Sequence, residues 1–146
     1  MNVNDEIIND INLARKTLSS EDYSIVVISG GKILTHEKGD GVKPFMKTIN
    51  ELGNNLDGKV IGDRILGKAS AFLCRYSKLK GVYSPQATKT AIAILITGGI
   101  ICQADEVIPF IKNRNGDGLC PFEKMLQNVE SPDEAYKILK ENVITV

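Results

Sequence analysis

The chain is 146 residues long, with 18 Lys+Arg against 18 Asp+Glu, 42% hydrophobic and 25% charged residues. That is the size and make-up of one ordinary globular domain. A formally neutral chain carries no basic surplus pointing to nucleic acid and no acidic tail, and a domain of this length buries about two thirds of its unfolded surface, so no disulfide or metal is needed to hold it.

The first predicted element is a helix. Ile7, Ile11, Ala14 and Leu18 recur at helical spacing, Asn4 is the expected N-cap, and Asp5 and Glu6 suit the positive end of the dipole. The polar stretch Ser19 to Asp22 ends it. Two strand-like runs follow, Tyr23 to Ile28 and Lys32 to Thr35, around Gly30-Gly31. They read as a tight hairpin, because both central residues of such a turn need positive φ. Gly39-Asp40-Gly41 opens a second helix with Val42, Phe45, Met46, Ile49 and Leu52 on one face and Gly53 after its end. Residues 54–59 read as a loop. A third helix is expected from Asp63 to Ser77, where Ile65, Leu66, Ala69, Phe72, Leu73 and Tyr76 fit a 3.6-residue period.

Gly81 to Ser84 reads as a short buried strand ending at Pro85. Thr88 to Thr97 is read as a buried crossover helix rather than a strand, with Gly98-Gly99 closing it and Ile100-Ile101-Cys102 as the next strand. Asp105 to Ile111 is a short helical or extended piece broken at Pro109, and residues 113–118 form a loop. A helix starts at Cys120-Pro121 with Phe122, Met125, Leu126 and Val129 inward. The last helix opens with a capping box, Ser131-Pro132-Asp133-Glu134, and turns Ala135, Ile138 and Leu139 inward. The order predicts one domain, a mixed sheet covered by helices on both faces.

Cys74, Cys102 and Cys120 are odd in number and widely spaced, which fits reduced thiols. The opening residues carry acids where a signal peptide carries bases, and the longest apolar run, Ala91 to Ile96, is too short to span a membrane. A cytoplasmic protein that engages no membrane is expected.

Four patterns in the sequence bear on chemistry. Gly62 to Ala69 nears the phosphate-binding pattern G-x-x-x-x-G-K-[ST], but Ala69 stands where the magnesium hydroxyl is needed and Ile65 and Leu66 belong to the helical stripe. Asn113-x-Asn115-x-Asp117-Gly118 resembles a calcium loop, yet Lys124 occupies the position of the bidentate glutamate. A Gly-rich turn whose amides hold an anion beside Arg114 is the better functional reading, and a plain surface loop the simpler one. Cys120, just before a helix start, is placed for thiolate formation, against the simpler reading of a small buried hydrophobe. One histidine, His36, and three scattered cysteines make no zinc triad, and no G-x-S-x-G elbow is present.

Gly67-Lys68-Ala69-Ser70-Ala71, Gly81-Val82-Tyr83-Ser84 and above all Asn113 to Lys124 (NRNGDGLCPFEK) resemble the family known as domain of unknown function 1893. The resemblance implies a cytidine-deaminase-like fold, a three-layer α/β/α sandwich with a mixed sheet. It does not bring the deaminase chemistry, which needs H-x-E or C-x-E at one helix start and P-C-x-x-C at the next. The 63–77 segment has no His-x-Glu, and Gln86-Ala87-Thr88-Lys89 stands where the cysteine pair belongs. What the architecture implies is a cleft at helix N-termini beside strand ends, suited to a small anionic or nucleotide-like ligand. Asp63, Lys68, Ser84, Arg114, Asp117, Cys120 and Glu123 are expected near it, with Lys68 and Arg114 meeting phosphate or carboxylate and Asp63 or Glu123 binding ribose hydroxyls or acting as base. The rival readings are a metal-independent enzyme using Cys120 or Lys68 as nucleophile, with Asp63 and Glu123 the other catalytic candidates, and a non-catalytic scaffold or homo-oligomeric subunit. No cofactor and no metal is expected.

Overall fold

The computed structural model describes residues 2–143. Helix α1 (Val3–Ser20) is capped by Asn2, whose side chain accepts from the Asp5 N–H at 2.9 Å. The cap is two residues earlier than Asn4, because the chain becomes helical as soon as an Asn side chain is in place to close its first turn. Strands β1 (Ile25–Ser29) and β2 (Lys32–Glu37) form the expected hairpin. Gly30 and Gly31 take φ of 55° and 79°, and both their N–H groups donate to the Asp10 carboxylate of α1, at 3.1 and 2.8 Å. Helix α2 (Lys43–Leu52) ends on Gly53, and a 3₁₀ turn Gly53–Leu56 follows.

The chain then departs from expectation. Val60–Asp63 is a strand, β3, and Ile65–Leu66 a second short one, β4, so helix α3 (Lys68–Tyr76) begins five residues after Asp63. Strand β5 (Gly81–Thr88) does not end at Pro85. The proline is tolerated because its neighbours skip it. β3 and β4 lie end to end on one edge of β5 with a gap at residues 63–64, and the pairing with β6 passes from Ser84↔Ala104 to Gln86↔Glu106. Helix α4 (Lys89–Thr97) is the expected crossover helix, capped by the Thr88 hydroxyl, but it is not a buried one: only Ala91 and Leu95 are buried, and Ile96 is exposed. β6 (Ile101–Ile108) extends six residues beyond Cys102 as an edge strand. Helix α5 (Pro121–Met125) is a single turn and a half, continued by tight turns, so Leu126 and Val129 are buried while Met125 is exposed. Helix α6 (Pro132–Asn142) carries the Ser131 cap, its hydroxyl accepting from the Glu134 N–H at 3.2 Å.

The result is a mixed sheet of six strands, antiparallel at the β2–β1–β3 side and parallel through β3, β5 and β6, with helices on both faces. Alternation along the strands sorts two cores. Val26, Ile28, Val60 and Tyr83 face α1, while Ile25, Val27, Ile61 and Val82 face α2, α3 and α4. α1 lies so close that a Cβ on Gly81 would meet Ile7 at 2.7 Å. α3 and α4 sit side by side on the opposite face, and α6 packs on α3. No helix of the described residues is long and apolar enough to cross a membrane.

Candidate functional site

Parallel strands β3 and β5 end, and α3 begins, at one end of the sheet, the position where open α/β sheets hold their ligands. The first N–H groups of a helix have no partner within it and carry the positive end of its dipole. In α3 they are met by Glu123 of α5: Oε1 accepts from the Lys68 N–H at 2.8 Å and Oε2 from the Ala69 N–H at 2.9 Å. Gly67 makes this approach available, since a Cβ there would lie 2.1 Å from Glu123 Oε1 and 2.4 Å from Ile111 Cδ1. Glu123 is buried. The Lys68 ammonium reaches back to the Gln127 carbonyl at 3.1 Å and lies 5.8 Å above the Phe72 ring.

Asp63 closes β3 on the α3 face of the sheet. Its carboxyl is pushed up to about 7 by burial, against hydrogen bonds from the Ser70 hydroxyl and the backbone of Ile65 and Arg64. Near neutral pH it is therefore divided between acid and carboxylate. Ser84 follows Tyr83, the last β5 residue in register with β3, and is fully buried, its hydroxyl donating to the Gln86 carbonyl at 2.7 Å and accepting from the Gln86 N–H at 3.2 Å. Cys120 is half-buried at the start of α5. Burial drives the Cys74 thiol well up and the Cys102 thiol to about 11, so both are poor nucleophiles near neutral pH.

The expected site residues therefore divide. Lys68 and Glu123 meet directly, Asp63 is met by the Ser70 hydroxyl of α3, Ser84 is buried on β5 and bonded to Gln86, and Cys120 leads into Glu123. Arg114 and Asp117 stand apart on an exposed loop: Arg114 pairs with Asp40, and Asp117 exchanges hydrogen bonds with Asn113, accepting at 2.9 Å and donating at 3.2 Å. The stretch resembling a phosphate loop is neither a loop nor the expected helix: Gly62 and Asp63 end β3, Ile65 and Leu66 form β4, and the helix begins only at Lys68. Ser70 and the Ala69 N–H belong to the site and were not predicted. The signal available was a glycine directly before a helix whose first turn carries no acid of its own.

Structurally the chain is an α/β/α sandwich whose central helix is capped at the strand ends by a carboxylate from a distant segment. Residues 13–143 match the family described as Domain of unknown function (DUF1893), TM1506, and the chain belongs to that family. The crystal structure of a DUF1893 family protein (TM1506) from Thermotoga maritima is similar throughout, with a TM-score of 0.83, 27% identity, 92% of this chain and 90% of that chain covered. A dCMP deaminase from the cyanophage S-TIM5 is similar at a much lower level, with a TM-score of 0.46 and 13% identity in its apo form, over 69% of this chain and 97% of that one. The same deaminase in complex with dCMP and dUMP matches at 0.46 and 13%, over 64% and 92%. Among curated proteins, none matches the chain in sequence.

Proposed function

We propose that this protein binds a small anionic or nucleotide-like molecule, without a metal ion, where β3 and β5 end and α3 begins. One observation carries the reading: the first turn of α3 is a working anion seat, holding a carboxylate on two N–H groups at 2.8 and 2.9 Å. The carboxylate is the chain's own, on the short α5 turn, and an incoming anion takes its place as that turn swings aside. Lys68 then supplies the mobile positive charge, and the protonated fraction of Asp63, whose carboxyl is pushed up to about 7, supplies a donor toward a ribose or base acceptor. Arg114, Asp117 and Cys120 travel with the displaced segment and close over the ligand. Among the described residues no group of three His, Cys, Asp or Glu is placed to hold a metal ion, and His36 is stacked on Tyr23 in the hairpin, ring centroids 3.9 Å apart.

The test is thermal unfolding with CMP, AMP and their nucleosides, on the wild-type chain and on Glu123→Gln. A ligand at a hundred times its Kd adds about 2.7 kcal/mol. Nucleotides are expected to stabilise both proteins and to bind the variant more tightly, since an amide competes less well than a carboxylate for the two N–H groups. Stabilisation of neither protein, or equal affinity for both, sinks the reading.

A further inference from the structure

The opposite end of α3 holds a groove that the proposed ligand does not use. Asp57, Arg75, Lys78, Lys80, Gly98 and Pro132 line a cavity of about 320 Å³. A neighbouring cavity of about 560 Å³ shares Asp57 and Lys78 with it and adds Tyr76, Ser77 and Tyr136. The cations do not serve the helix end. The last carbonyls of α3 are already taken by backbone donors, Ser77 N–H on Leu73, Lys78 N–H on Arg75 and Leu79 N–H on Cys74, at 2.9 to 3.1 Å. Among the described residues Arg75, Lys78 and Lys80 form no ion pair within 4.0 Å, and neither does Asp57.

Their backbone is nevertheless held in place. Lys78 is the one described non-glycine residue at positive φ, 58°, a conformation that costs a side-chain-bearing residue energy and that persists only where the surroundings impose it. Its carbonyl accepts from Gly58, and the Lys80 N–H donates to Lys59, both at 2.9 Å. Arg75 lies flat on Gly98, where a Cβ would stand 2.8 Å from its side chain. The positive end of α6 opens on the groove through Pro132. The Ser77 hydroxyl is buried with no hydrogen-bond partner, and an orphaned donor of this kind calls for an explanation. The Tyr76 and Tyr136 rings stack beside it, centroids 4.0 Å apart.

We infer that this groove is a second binding site, for a phosphate or pyrophosphate group held by Arg75, Lys78 and Lys80. Three cations lining one cavity match the several acceptor oxygens of such a group. The inference does not rest on the anion seat at Glu123, which lies at the other end of the helix.

Calorimetric titration at low salt with inorganic phosphate, pyrophosphate and phenyl phosphate tests it on the wild-type chain and on Lys78→Gly, Arg75→Gln and Glu123→Gln. Lys78→Gly removes a cation while keeping a residue suited to the backbone, so loss of folding does not confuse the result. Binding weakened at least tenfold by Lys78→Gly and by Arg75→Gln, in the presence of Glu123 and equally in the Glu123→Gln background, is expected. Phenyl phosphate binding tenfold tighter than phosphate identifies a phosphorylated aromatic molecule resting on the tyrosines, and equal binding identifies the free anion. No binding of any probe at roughly 10 mM, or binding that responds to Glu123→Gln and not to the groove variants, overturns the inference.

Discussion

At its first turn α3 receives the Glu123 carboxylate on two N–H groups, while at and beyond its last turn Arg75, Lys78 and Lys80 face a groove with no carboxylate partner within 4.0 Å among the described residues. Both ends have satisfied backbones, and they differ in where the side-chain charge goes. At the first end charge is buried and spent inside the fold, so changes there fall on stability first. At the other end charge is solvated and unpaired, and changes there fall on ligand first.

The most severe way to break the closed end is Gly67→Ala. Its backbone, at φ −113°, is open to any residue, so the damage is steric: the new Cβ would stand 2.1 Å from Glu123 Oε1. Either α5 is expelled or α3 shifts, and a loss of about 3 kcal/mol in urea unfolding is expected. Glu123→Ala strips the cap without a clash. Two N–H groups lose a charged acceptor, and the expected loss is about 2 kcal/mol. Equal stability of this variant and the wild type would mean that water replaces the carboxylate at no cost.

Asp63 sharpens the same comparison through pH. Its folded carboxyl titrates near 7 against 3.8 in the unfolded chain, so the folded state binds the extra proton between those values. The stability contributed by the neutral form is complete below pH 3.8 and is lost as pH rises through 7. Asp63→Asn keeps a neutral side chain at every pH. Relative to wild type it is expected to gain about 2 kcal/mol between pH 4.5 and pH 8, a figure reduced for the partial solvent access of the residue. Parallel stability curves for the two proteins across that range would show that Asp63 is solvated and ordinary.

The two ends also differ in how well the sequence revealed them. The hairpin, α2, α4 and α6 were legible because each carries its own local chemistry: Gly30-Gly31, Gly53, the apolar run before Gly98 and the Ser131 cap. The strand ending at Asp63 was not. It is four residues, Val60–Asp63, with Gly62 in the middle, and its glycine answers to the close packing of α1, where a Cβ would meet Leu18 at 3.0 Å. Ile65 and Leu66 happen to continue the helical spacing of α3, so the period masked a strand. Lys68, Glu123 and their neighbourhood were recognised through family resemblance and residue type, but no local pattern tells that residue 123 reaches residue 68. The basic groove was invisible because Arg75, Lys78 and Lys80 read as the ordinary solvated end of a helix.

The smallest expected effect separates the ends most cleanly. Lys78 holds φ of 58°, where glycine fits without penalty and lysine does not. Against this, glycine is the more disordered residue in the unfolded chain. The strain outweighs the entropy, and Lys78→Gly is expected to stabilise the fold by about 0.5 kcal/mol. That gain would mean that Lys78 serves the protein through its ammonium rather than through its backbone. Should the substitution destabilise the protein instead, the side chain is packing or pairing in solution, and the contrast between a closed end and an open one disappears at the residue on which it most depends.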